Sequence, residues 1–276
     1  MFGVILVSIS SFFEEISISI GKTEVQKHKE SVYTMASLSL IGGFVLFLAI
    51  NIFKGEFRFS LASLPTFSIR AFLEIFQVYI STMAVVRAER STFGFLRTGT
   101  IILLLVVDFF LGYQIGFEQV AGISLIIFSL LLFFMNNGIK KNGLKYVILS
   151  TLGAVATVSL YKYDITHFNS VEAEQAVVLG ILALFYCLMA MIKEKENPLR
   201  FLMKPVFLTQ SLAHGVASIF GSFAFNFAPS SIIVAAGRSS STLFSFLSGN
   251  IYFREKSFLL KFLLLIFLVL GIILLA

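Results

Sequence analysis

The sequence predicts an all-α membrane protein with about ten transmembrane helices arranged as two inverted five-helix repeats. Three observations carry that expectation. The first is composition: 58% of the 276 residues are hydrophobic and only 13% are charged, with 33 Phe and a mean hydropathy of +0.95. A soluble domain averages about 25% charged residues, so this chain is built to face lipid. The second is spacing. Apolar runs of roughly 17–25 residues recur from end to end, each long enough to span a ~30 Å hydrocarbon core as a helix. The ~10-residue alternating segments of a membrane β-barrel are absent. The third is an internal repeat, in which two blocks align without a gap at an offset of about 141 residues. Arg97-Thr98-Gly99-Thr100 opens an apolar helix that breaks near Gly112-Tyr113-Gln114. Arg238-Ser239-Ser240-Ser241-Thr242 opens another, which breaks at Arg254-Glu255-Lys256.

Taken in order, the spans fall at roughly 2–20, 34–53, 67–86, 91–112, 116–135, 144–161, 172–192, 206–227, 230–252 and 257–276. The polar run from Asn136 to Lys145 separates residues 1–138 from 139–276, two repeats of one integrated membrane domain. Five spans per half is an odd number, so the second half enters the membrane from the side opposite the first. Weaker echoes extend the repeat: Lys54-Gly55-Glu56 falls near Lys195-Glu196-Asn197, and Ser81 falls on Ser222.

Loop charge gives an expected orientation. Lys22, Lys27 and Lys29, then Arg87 and Arg90, and matching groups after the fifth, seventh and ninth spans lie on one side; only Lys54, Arg58 and Lys162 lie on the other. The positive-inside rule puts the crowded side in the cytoplasm and both termini outside, in a multi-pass protein of the cell (inner) membrane. Met1-Phe2-Gly3 enters an apolar run without a basic n-region, so no signal peptide is expected. One cysteine, Cys187, gives no disulfide framework, and His28, His167 and His214 are too scattered for a metal, so no metal and no cofactor are expected. Phosphate loops, nucleophile elbows and zinc-protease pairs are also missing, which argues against an enzyme. The excess of Lys and Arg reads as topology and not as nucleic-acid binding.

Within the spans the charges are Glu14, Glu15, Arg70, Glu74, Arg97, Asp108 and Arg238. A charge at the bilayer centre costs at least ~2.5–3.5 kcal/mol, so such residues face a bundle interior or an aqueous cavity. Arg97 and Arg238 lie six to eight residues into their spans, roughly 9–12 Å along a helix. Both precede hydroxyl residues (Thr98, Ser239, Ser241) that suit a wet surface, and a guanidinium fork matches a carboxylate or phosphate. These five are the candidate substrate-binding residues. The alternative is that the arginines neutralise carboxylates of the bundle, for which Glu14, Glu15 and Glu74 are available, with His214 a further hydrogen-bonding partner. Glu14 and Glu15 point about 100° apart, so one of them faces the centre as a candidate proton carrier or as a salt-bridge partner. Arg70 and Glu74, four residues apart, read as a local ion pair. Asp108 reads as interfacial, Lys162 and Asp164 as an end cap and loop, and Tyr79, Tyr161 and Tyr186 as packing.

The five-plus-five layout, and the endings of the halves with Gly112 and Gly122 in the first and Gly249, Glu255 and Gly271 in the second, resemble the EamA-like branch of the drug/metabolite transporter superfamily. Phe13-Glu14-Glu15-Ile16 through Gly21-Lys22 resembles the opening helix of its small multidrug resistance branch. In that branch a mid-helix glutamate exchanges protons for cationic drugs, and Glu14 matches it. The chain departs from the pattern at Thr242 and Ile101, where a proline is common, and at Ala156 and Thr157, which fall opposite Glu14. The family's cytoplasmic termini also oppose the charge count above. The resemblance implies a secondary transporter or facilitator for a small organic metabolite, anionic or zwitterionic, with the lipid bilayer as its other partner. The alternatives are proton-coupled efflux of cationic drug-like compounds, a lipid-modifying enzyme, or a non-transporting scaffold.

Overall fold

The computed structural model describes residues 1–88, 96–97, 99–135, 143–253 and 258–275. Among them are eleven α-helices, one 3-10 turn at Leu61–Ser63 and no strand. Ten helices have twelve residues or more: α1 (Phe2–Gln26), α2 (Val32–Lys54), α3 (Leu64–Arg87), α4 (Gly99–Phe110), α5 (Phe117–Met135), α6 (Leu144–His167), α7 (Val171–Lys193), α8 (Pro205–Ala224), α9 (Ser230–Phe253) and α10 (Phe258–Leu275). A one-turn helix, Pro198–Phe201, precedes α8. Six of the ten (α1, α2, α3, α6, α7 and α8) are long and apolar enough to cross a membrane, and α4 and α5 include shorter apolar stretches. The chain is an all-helical protein of membrane character.

Local chemistry sets the helix ends. Ser31 and Ser170 sit extended before α2 and α7 and accept from the backbone N–H of Thr34 and Ala173. Gly55 closes α2 at φ 66°, a left-handed geometry that suits glycine. Pro65 and Pro205 lie in the first turns of α3 and α8, where a missing N–H costs nothing. Glu172 and Glu174 in the first turn of α7 and Lys193 in its last complement the helix dipole. Helices α1 and α6 run past the apolar spans expected at 2–20 and 144–161, because Lys22-Thr23-Glu24 and Lys162-Tyr163-Asp164 continue the helix, with Glu24, Lys162 and Asp164 buried.

Packing is tight, antiparallel in α1–α8, α2–α7 and α3–α6 and parallel in α1–α9 and α2–α8. The main pairs are α1–α8, α2–α7, α2–α8, α5–α10, α3–α6, α1–α9 and α4–α9. Adding five to each member, with α10 followed by α1, turns α1–α8 into α6–α3. It also turns α1–α9 into the observed pair α6–α4, α2–α8 into the pair α7–α3, and α2–α7, α4–α9 and α5–α10 into themselves. Glycine allows the closest crossings. A Cβ on Gly42 would stand 2.0 Å from the Ser211 carbonyl oxygen, and one on Gly122 would stand 3.0 Å from that of Gly271. Serines tie α1 to its neighbours: Ser10 donates to the Ala217 carbonyl at 2.8 Å and Ser11 to that of Gly237 at 3.0 Å.

The outer surface is apolar and the interior holds the charge. Helix α3 exposes Ile69, Phe72 and Phe76 while burying Arg70, and α7 exposes Leu184, Leu188 and Ile192 while burying Glu174. Water as solvent would favour the reverse. A bilayer favours this arrangement.

Candidate functional site

Two stripes face each other along the α1–α8 seam. On α1 they are Ser10, Glu14, Ser17 and Gly21, spaced four, three and four residues apart so that they share one helix face. On α8 they are Gln210, His214, Ala217 and Gly221, with the same periodicity. Contacts fix the register: Ser10 bonds Ala217 at one level, and a Cβ on Gly21 would meet the Gln210 amide nitrogen at 2.8 Å at the other. Glu14 is thereby placed at the level of His214.

Four groups from four parts of the chain meet there. Glu14 lies within charge–charge range of Arg97, which precedes α4, of Arg238 on α9 and of His214 on α8. Arg97 in turn feels the repulsion of Arg238. The Arg238 Nε and His214 Nδ1 atoms are buried without a hydrogen-bond partner. Among the described residues two guanidiniums face one carboxylate, and Arg238 and His214 keep spare hydrogen-bond capacity. Of the adjacent pair Glu14 and Glu15, Glu14 faces this cluster, whereas Glu15 accepts from Ser19 at 3.4 Å one turn along α1.

The hydroxyls expected to line the site divide. Ser239 is fully buried and donates to the Ala235 carbonyl of its own helix at 2.8 Å. Ser241 is half-buried. Thr98 lies outside the described residues, as do Arg254, Glu255 and Lys256. A different hydroxyl pair, Ser8 and Ser240 at 2.8 Å, joins α1 to α9.

Glu74 belongs elsewhere. It accepts from the Arg70 Nε at 2.8 Å, while the Arg70 Nη1 donates to Glu174 at 2.6 Å. Asn169 donates to the second Glu174 oxygen and to Ser63, Thr66 donates to Asp164 at 2.5 Å, and the Arg70 guanidinium lies 4.5 Å over the Tyr161 ring. The local Arg70–Glu74 pair was legible at four-residue spacing, but Glu174 was not, because it starts a span and reads as a helix-end acid. Asp108 and Asp164, expected to be interfacial and in a loop, are instead buried within helices. Asp108 accepts from the Ser231 N–H at 2.6 Å and so caps α9 from a neighbouring helix. Lys162 does act as a cap: its ammonium donates to the carbonyls of Phe225 and Ala228 beyond the end of α8. Tyr161 and Tyr186 are buried and spend their hydroxyls on the carbonyls of Ser222 and Ile75, and Tyr79 stacks on Tyr33 at 5.5 Å, as packing residues do.

At the opposite end of the molecule Glu30, in the turn before α2, is 3% exposed. Burial pushes its pKa up to about 8, against a hydrogen bond from Gln210 and with the help of Glu196 and Glu24. Gln210 is itself fully buried. Sequence reading missed Glu30 because it sits in a loop. An apolar groove of about 430 Å³ runs along the outside of α1, lined by Val4, Ile5, Ile9, Phe12, Phe244 and Ile272 among others. Among the described residues no group of His, Cys, Asp and Glu is placed to hold a metal.

No family model matches the chain, and no curated protein matches it. Among solved structures 25 chains match. One crystal structure, described simply as that of a protein, superposes with a TM-score of 0.67 over 96% of this chain and 95% of its own, at 12% identity. The likeness is one of fold.

Proposed function

We propose that the chain is a secondary transporter or facilitator, moving a small anionic or zwitterionic metabolite by alternating access between two inverted halves, 1–138 and 139–276. The observation that carries this reading is the convergence of Glu14, Arg97, Arg238 and His214 inside the α1–α8–α9 bundle. Buried charges drawn from several helices are expensive and mark the path of a polar cargo. Arg238, whose Nε has no hydrogen-bond partner, offers its guanidinium to an anion over a cation. In this mechanism the substrate's negative charge takes over the guanidiniums, and Glu14, losing its counter-charges, takes up a proton.

The inversion finds support in pairs of residues that play the same part in each half. Lys162 caps the end of α8, and Lys22 reaches the Ala88 carbonyl beyond the end of α3 at 3.4 Å. Ser31 and Ser170 cap α2 and α7, and each of those helix starts is tied to the segment following the other helix, Ser31 to Glu196 and Ser170 to the Arg58 carbonyl. The packing pairs also map onto one another when each helix is advanced by five. Ten spans in two inverted fives, the drug/metabolite transporter resemblance and a cell-membrane location all fit this reading.

Reconstitution in liposomes with a panel of small carboxylates, phosphates and amino acids, with and without a pH gradient, tests it. Uptake of at least one anion, lost in Arg97→Gln and Arg238→Gln, is expected. Unchanged uptake of every candidate in both variants removes the arginine roles. Export of cationic drugs that needs Glu14 but neither arginine would replace anion transport with the cationic alternative.

A further inference from the structure

The Arg70 cluster contains one oxygen that its donors do not reach. Asp164 and Glu174 are both 0% exposed, and Arg70 is 2% exposed. Glu174 Oε1 accepts from the Arg70 Nη1 at 2.6 Å, and Oε2 accepts from the Asn169 amide at 2.5 Å. Asp164 Oδ1 accepts from the Thr66 hydroxyl at 2.5 Å, whereas Asp164 Oδ2 is buried without a donor. The Asp164 carboxyl does meet Glu174 at hydrogen-bonding distance. Two carboxylates offer only acceptors, so this contact becomes a hydrogen bond when one of them carries a proton. Each oxygen has two lone pairs, which lets Glu174 accept from Asp164 as well as from Arg70 and Asn169. Buried polar atoms are almost always bonded, and a proton completes this set.

The charges point the same way. Those facing Asp164 are Arg70 on α3, Glu174 on α7 and the exposed His167 on its own helix. Arg70 also holds Glu74 at 2.8 Å. Nearby charges have other partners: Lys54 meets Glu172 at 2.8 Å, and Lys162 faces Asp108. Among the described residues one buried guanidinium is thus set against three carboxylates. Two carboxylates in contact in a dry site do not both ionise.

We propose that Asp164 and Glu174 bind one proton between them, carried by Asp164 and donated to Glu174, where the two halves of the chain meet. Thr66, Arg70 and Glu74 belong to residues 1–138, and Asp164, Asn169 and Glu174 to residues 139–276. A proton from water forms one O–H bond on Asp164, and no other bond changes. With it bound, the α3–α6–α7 contact is fully bonded and fastens one half to the other. Without it, Asp164 and Glu174 repel beside the Arg70 bridge. The site uses none of Glu14, Arg97 and Arg238, and it stands whether or not the chain moves an anion.

The sequence makes the test simple, because the chain has two aspartates, Asp108 and Asp164. ¹³C-aspartate NMR of the liposome-reconstituted protein at neutral pH therefore shows two side-chain carboxyl signals. Asp108→Asn or Asp164→Asn, whichever folds, assigns both. A carboxyl carbon resonates at different positions as acid and as carboxylate. In wild type the Asp164 signal is expected at the acid position. In Glu174→Gln the new amide supplies a donor, and the Asp164 signal should shift to the carboxylate position while the Asp108 signal stays in place. A carboxylate signal for Asp164 in wild type overturns the proposal, whatever the variants do. An acid signal that persists in Glu174→Gln overturns the sharing with Glu174.

Discussion

The α1–α8 and α3–α6 seams are built alike and filled oppositely. Each is an antiparallel helix pair, α1 with α8 and α6 with α3, with polar residues at helical spacing on the facing stripes. In α3–α6 the polar groups are consumed. Arg70 is held by Glu74 and Glu174, Gln77 donates to the Ser150 carbonyl at 2.9 Å, and Ser81 meets Ser150 at 2.9 Å. In α1–α8 the facing stripes carry Gln210 and His214, and Ser17 Oγ and His214 Nδ1 have no protein partner among the described residues. One seam is closed by its own hydrogen bonds, and the other keeps spare polar capacity. Alike packing therefore does not imply alike function, which follows from which positions carry matched charge.

Breaking the latch should have the largest effect on stability. Arg70→Met leaves Glu74 and Glu174 buried without their cation, a loss of about 3–5 kcal/mol. A fall in unfolding temperature in detergent checks it, and Glu174→Gln in the same background should restore part of the loss.

The second prediction concerns pH. Glu30 has its pKa raised from 4.5 to about 8 in the folded chain. Between those values the folded state binds more protons at Glu30 than the unfolded state, so this group's contribution to stability is greatest below pH 4.5 and is lost as pH rises to about 8. The total is on the order of a few kcal/mol. Thermal unfolding across that window should show the slope in wild type, and Glu30→Gln should flatten it.

The cap at Lys162 gives a smaller contrast. Lys162→Met removes the donor to the half-buried Phe225 and Ala228 carbonyls and the charge opposite Asp108, at a cost of about 1–3 kcal/mol. A fall in unfolding temperature in detergent, smaller than that of Arg70→Met, checks it.

Much of this arrangement is visible in the sequence, for identifiable reasons. Helix content follows from apolar runs that only a helix can bury in lipid. Arg97 and Arg238 stand out because a charge deep in such a run is rare, and Glu14 stands out among serines and isoleucines for the same reason. What the sequence hides is partnership across the bundle. Glu174, Asp108 and Asp164 lie near helix ends, where acids are common, and only the packing of α3, α6 and α7 around Glu174 and Asp164, and of α4 against α9 at Asp108, shows them buried. Glu30 lies in a polar turn, and its burial depends on Gln210, 180 positions away. Hydroxyls mislead for the opposite reason. Ser239 satisfies itself on its own helix, an option open to any helical serine and silent in the sequence.

The central claim is that the two seams divide the labour, α1–α8 carrying the cargo site and α3–α6 holding the bundle shut. The most direct test measures uptake of the best-transported anion of the panel into liposomes, per unit of folded protein, for Arg238→Gln and Glu14→Gln beside Glu74→Gln. The account predicts that uptake in the first two falls to the background of empty liposomes while Glu74→Gln keeps transporting with reduced thermal stability. Transport at the wild-type rate in Arg238→Gln and Glu14→Gln, with loss only in Glu74→Gln, would contradict it.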